Sequence, residues 1–154
     1  MASLALESAR YMAFGGGGCK GLAYLGALSA LQQHGGDAWH ARLRGTCGSS
    51  SGCIAALAFL VNADAAALCQ RWRTLNIDSV APHLDLNAVL TRYGMDGGDL
   101  LRRIIREVLS VCGLAPDTSF ATLRRLTCGR ELRICVTNLN MCRREVFSHE
   151  TTPD

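Results

Sequence analysis

The chain has 154 residues, 49 % apolar and 19 % charged, which is enough for one domain with a core and too apolar for a disordered segment. A net charge of +3 argues against a dedicated nucleic-acid binder but allows contact with anionic surfaces. No apolar run is long enough to span a bilayer, and the first ten residues lack the basic-then-apolar pattern of a secretory signal. An intracellular protein is expected, cytoplasmic or peripheral at membranes.

In chain order, residues 11–14 read as a short buried strand and residues 15–18 as a loop. Residues 22–31, rich in Ala and Leu, predict a buried helix closed by His34-Gly35-Gly36. Residues 43–47 predict a second strand, and residues 53–60 an almost wholly apolar helix. A further helix over 65–72 has Asn62 or Asp64 as its cap. Residues 74–82 read as polar and irregular.

The clearest amphipathic helix spans 100–112. Leu100, Leu101, Ile104, Ile105, Val108, Leu109 and Cys112 form one face, and Arg102, Arg103, Arg106 and Glu107 the other. Residues 120–126 predict a short helix capped from Asp117, Thr118 or Ser119. Residues 132–136 and 145–147 read as strands joined through Asn138-Leu139-Asn140. This order of elements implies an α/β layered fold with a mostly parallel sheet in a single domain over residues 1–154.

Eight cysteines stand at positions 19, 47, 53, 69, 112, 128, 135 and 142, with no C-x-x-C pair. Cys53, Cys69, Cys112 and Cys135 fall in apolar segments, so reduced, mostly buried thiols are expected. Neither the cysteines nor His34, His40, His83 and His149 show metal-ligand spacing. No metal and no cofactor are expected.

Two glycine-framed turns carry the chemistry. The first is Phe14-Gly15-Gly16-Gly17-Gly18-Cys19-Lys20-Gly21. Glycines at a helix start leave N–H groups free to meet an anion, and Lys20 adds a positive charge. Gly16-x-Gly18-x-x-Gly21 also matches a dinucleotide-binding fingerprint. That reading wants an acidic residue at the end of a second strand, and Asp37 follows His34-Gly35-Gly36 with no strand before it. A P-loop is excluded, because Gly21 follows Lys20 where Ser or Thr is needed.

The second turn is Gly48-Ser49-Ser50-Ser51-Gly52, a G-x-S-x-G between a strand and an apolar helix. Such an elbow exposes a serine hydroxyl, here that of Ser50, above a helix N-terminus. Serine needs a base to become a nucleophile, and the four histidines show no local triad signature.

Taken together, the two turns resemble the patatin-like phospholipase family. The resemblance continues through Tyr93-Gly94-Met95-Asp96-Gly97-Gly98, Phe120-Ala121-Thr122-Leu123, residues 132–140 and Val146-Phe147-Ser148, and covers nearly the whole chain. It implies a three-layer α/β/α fold and hydrolysis of lipid acyl esters by a Ser–Asp dyad, without histidine or metal. Ser50 is then the nucleophile, and Gly16, Gly17 and Gly18 supply oxyanion N–H groups.

The family's catalytic aspartate stands in an Asp-Gly-Gly or Asp-Gly-Ala triplet beyond the final strand pair, whereas this chain ends at Thr151-Thr152-Pro153-Asp154. Asp96-Gly97-Gly98 has the triplet's letters, but it precedes a helix, where Asp96 reads as a cap or turn residue. The expectation is the N-terminal part of such a domain, incomplete on its C-terminal side and lacking the base. Apolar surface is then exposed and covered by the missing half or by another protein. The expected partners are a lipid or phospholipid substrate and a membrane surface, with the arginines of the 100–112 helix near headgroups. A dinucleotide-binding module and a non-catalytic interaction protein are the alternatives.

Overall fold

The computed structural model describes residues 8–74, 90–91 and 98–154. Asp96, with residues 93–97, lies outside the described residues, as do His83 and all but the first residue of the 74–82 stretch. Four strands form one sheet in the order β1-β2-β3-β4. β1 (Tyr11–Phe14), β2 (Gly45–Ser49) and β3 (Glu131–Asn138) run parallel. β4 (Arg143–Phe147) returns antiparallel to β3. The sheet is therefore mostly parallel and the class α/β, as expected.

Between β1 and β2 run a 3₁₀ turn (Gly18–Leu22), helix α1 (Ala23–Gly35) and a short helix α2 (Ala38–Arg42). α1 stops at Gly36, whose φ of 51° suits glycine. The sequence reading did not anticipate α2. Its chief contribution is Trp39, 4 % exposed, stacked edge-on to Phe59 at 6.1 Å. α2 also delays β2, which starts two residues later than expected, because Leu43 caps the helix with extended backbone.

Helix α3 (Ser51–Leu60) follows β2 directly and contacts β1, β2 and β3. Every residue from Ala55 to Leu60 is buried, as an all-apolar helix requires. The buried Thr46 hydroxyl of β2 donates to the Ala56 carbonyl at 2.8 Å, tying strand to helix. Helix α4 (Ala65–Thr74) is capped by Asp64, whose Oδ1 accepts from the Ala66 and Ala67 amides at 2.8 and 3.1 Å. Gln32 of α1 donates to Asn62 Oδ1 and the Ala63 carbonyl, fixing the turn between α3 and α4.

Helix α5 (Asp99–Val111) buries Ile104, Val108 and Leu109, whereas Leu101 and Ile105 stay 54 % and 38 % exposed. Its apolar stripe is thus only partly covered. Helix α6 (Phe120–Leu126) is capped by Ser119, whose Oγ accepts from the Thr122 amide. The eight cysteines are free thiols, as expected, but five are half-buried and three exposed, so none is fully buried.

The core lies on one face of the sheet, where Phe14, Thr46 and Leu132 meet α3 and its neighbours. Strand periodicity sends Tyr11, Ala13, Cys47 and Arg133 to the other face. There Tyr11 is 68 % exposed, and a shallow depression of about 400 Å³ is lined by Tyr11, Ala13, Cys47 and Arg133. Among the described residues, the helices that touch the sheet pack on the core face. No helix among them is long and apolar enough to cross a membrane.

Candidate active site

β2 delivers Ser49 and then Ser50, and α3 begins at Ser51. Ser50 has φ 52° and ψ −132°, a conformation that costs a non-glycine residue about 1–3 kcal/mol. The side chain is exposed and makes no capping bond to α3. Only the Ser50 carbonyl serves the helix, accepting from the Cys53 amide at 2.9 Å. Ser50 thus stands at the N-terminus of a ten-residue helix with its hydroxyl not used in capping.

The flanking glycines are required by packing. A Cβ on Gly48 would overlap the Gly52 carbonyl, and one on Gly52 would overlap the carbonyls of Phe14 and Gly15. The elbow is therefore pressed against the end of β1, where the glycine loop begins. A Cβ on Gly16 would come 3.0 Å from Ser50 Cβ. A Cβ on Gly21 would come 3.0 Å from both Cβ and Oγ of Ser51.

Two hydroxyls hold the loop in place. The Gly17 amide donates to Ser51 Oγ at 3.0 Å. The Tyr24 hydroxyl donates to the Gly15 carbonyl at 3.0 Å, while its ring meets Phe14 edge-on at 5.3 Å. Tyr24 escaped the sequence reading; its only signal was a lone aromatic in the first helical turn after the loop. Gly18, at φ 55°, opens the 3₁₀ turn, and Cys19 and Lys20 are exposed along it.

The structure thus gathers Gly16, Gly17, Gly21, Gly48, Ser49, Ser50, Ser51 and Gly52 into one corner. Gly18, Cys19 and Lys20 stand on its outer rim. Among the described residues, the amides of Gly16 and Gly18 have no hydrogen-bond partner, whereas that of Gly17 is taken by Ser51. Beside Gly18 and Gly21 opens a narrow apolar slot of about 50 Å³, walled by Leu25, Ile54, Trp72 and Val108. The Trp72 indole N–H is buried there and has no partner among the described residues.

No described carboxylate or histidine is hydrogen-bonded to the Ser50 hydroxyl. His40 is structural: a ring nitrogen contacts the Leu60 carbonyl at 2.8 Å, and burial is the main cause of its lowered pKa. Asp37 is the N-cap residue of α2 and does not end a strand, so the acid that a dinucleotide site needs is not in place. Burial pushes the Cys112 thiol up to about 12 and raises Cys53, leaving both protonated and inert near neutrality.

Glu131, His149 and Glu150 bring possible ligand atoms within 4.8 Å of one another. Arg133 already pairs with both carboxylates, at 3.1 and 3.5 Å, so a cation would have to displace it. The cluster also stands at the start of β3, the opposite end of the sheet from Ser50.

The chain aligns with two solved structures of ExoU in complex with SpcU, from the type III secretion system of Pseudomonas aeruginosa. One gives 21 % identity and a TM-score of 0.62, covering 94 % of this chain and 35 % of the other. The second gives 23 % identity and a TM-score of 0.59, covering 94 % and 33 %. The chain therefore spans about a third of the solved chains it matches, and at this identity the likeness is one of fold. No match was found among curated proteins. The profile of the family described as "Patatin-like phospholipase" matches residues 12–154, and the chain belongs to that family.

Proposed function

We propose that the chain carries the nucleophile and oxyanion loop of a lipid acyl hydrolase, of phospholipase or acylglycerol lipase type. The observation that carries this reading is the contact of Gly16 with an exposed, backbone-strained Ser50. Ser50 Oγ attacks the ester carbonyl carbon, and the carbonyl oxygen becomes an oxyanion. The amides of Gly16 and Gly18 receive that charge, and the Gly17 amide joins them when the Ser51 hydroxyl turns aside. The dipole of α3 adds to the same field. Each such donor is worth about 3 kcal/mol in the transition state.

Collapse of this intermediate expels the alcohol half of the lipid and leaves an acyl-serine. Water then attacks the acyl-serine and releases the fatty acid. An aspartate takes the Ser50 proton in the first half and passes it to the leaving oxygen. In this reading the aspartate is a carboxylate outside the described residues. No metal or cofactor takes part. The exposed Arg103 and Arg106 of α5 are available to lipid headgroups, while Arg102 is paired with Asp99 at 3.1 Å.

The test is labelling by a serine-directed fluorophosphonate. Wild-type chain is expected to take up the probe, and Ser50→Ala to lose at least about 99 % of the signal. Labelling that survives Ser50→Ala would overturn the assignment. No labelling of either chain would mean that Ser50 lacks its base here, as in a base-lacking domain or a non-catalytic interaction protein, and tight nicotinamide-nucleotide binding would favour a dinucleotide module.

A further inference from the structure

The turn between β3 and β4, residues 139–142, exposes two large apolar side chains: Leu139 is 82 % and Met141 60 % accessible. Asn138 fixes the turn on both sides. Asn138 Oδ1 accepts from the Met141 amide at 3.0 Å, and Asn138 Nδ2 donates to Glu145 Oε1 at 3.0 Å. Cys142 closes the turn at φ 49°.

Its place in the fold is informative. β2 and β3 are parallel, and Ser49 stands opposite Cys135. β3 runs on to Asn138 before turning. At ~3.3 Å per residue, Leu139 lies about 13 Å beyond the level of Ser49. The tip therefore projects from the same end of the sheet as Ser50 and the glycine loop. Two arginines follow it: Arg143 is paired with Glu145 at 2.9 Å, whereas Arg144, exposed, has no acidic partner among the described residues.

We infer that this tip is an interfacial anchor, seating Leu139 and Met141 in the outer acyl layer of an anionic lipid surface with Arg144 on headgroup phosphates. The inference rests on the proposed lipid hydrolase reading and adds the element that orients it. Surface-seated segments enter the headgroup–acyl boundary by about 5–10 Å. A tip about 13 Å ahead of Ser49 then leaves Ser50 level with the headgroups, where an acyl ester can reach it. Two side chains at a narrow tip offer far less than the ~800 Å² per partner of a stable protein interface, but they suffice for a lipid surface when joined to a cation.

Co-sedimentation of the 154-residue chain with phosphatidylglycerol-containing and pure phosphatidylcholine vesicles tests this. The wild type is expected to bind the anionic vesicles. Leu139→Asp with Met141→Asp weakens binding at least about tenfold, and Arg144→Glu about fivefold on anionic vesicles only. Leu126→Asp alters a residue that is also 60 % exposed but stands at the other end of the sheet, before β3, and leaves binding unchanged. Leu139→Trp, which keeps the tip apolar, should shift indole emission to the blue on vesicles. Fluorophosphonate labelling of Ser50 in free solution stays at the wild-type level in all tip variants, so loss of labelling speaks to the nucleophile and loss of binding to the tip. Failure of the wild type to bind, or equal binding by the doubly substituted chain, overturns the inference.

Discussion

At Ser50, strain and exposure occur together, and the neighbouring glycines explain how the fold sustains both. Gly52 lies so close to the Phe14 and Gly15 carbonyls that any side chain there must push the elbow off β1. Gly52→Ala is therefore expected to cost about 3 kcal/mol or more, read from urea unfolding, and to lower Ser50 labelling as well. The G-x-S-x-G spacing was readable because glycine itself encodes close approach. The Gly17–Ser51 bond joins residues 34 positions apart, and the Tyr24–Gly15 bond depends on how α1 docks. No local pattern announces either.

Among the elements, those with a strong local signal appear close to where the sequence puts them. β1, α3 and α6 carry unbroken apolar runs or a serine cap. α2 was missed because Ala38–Arg42 is too short to show a period, and its burial rests on Trp39 alone. The stripe of α5 was visible, but which half of it finds a neighbour depends on tertiary packing. His40 gives α2 a pH dependence. Burial depresses its folded pKa below the ordinary value of 6.5, so the unfolded chain takes up the proton first. The stabilising contribution is full above about pH 6.5 and falls as pH drops through the lowered folded value. Urea midpoints at about pH 7.5 and about pH 5.5 should differ less in His40→Gln than in wild type.

Over the whole molecule, the parallel order of β1, β2 and β3 places the glycine loop, the elbow and the β3–β4 tip at one end of the sheet. Alternation of strands and helices made the α/β class readable from the sequence, and the paired glycine turns made the family readable. Which sheet face the described helices leave uncovered was not, since Tyr11, Ala13 and Cys47 are as apolar as a covered face would be. The account depends on backbone amides of the loop meeting an oxyanion formed on Ser50. The most direct measurement is a crystal structure of the chain after reaction with a fluorophosphonate. The prediction is a covalent bond to Ser50 Oγ, with the phosphonyl oxygen about 3 Å from the amides of Gly16 and Gly18. An adduct on another residue, or a phosphonyl oxygen turned away from the loop, would contradict it.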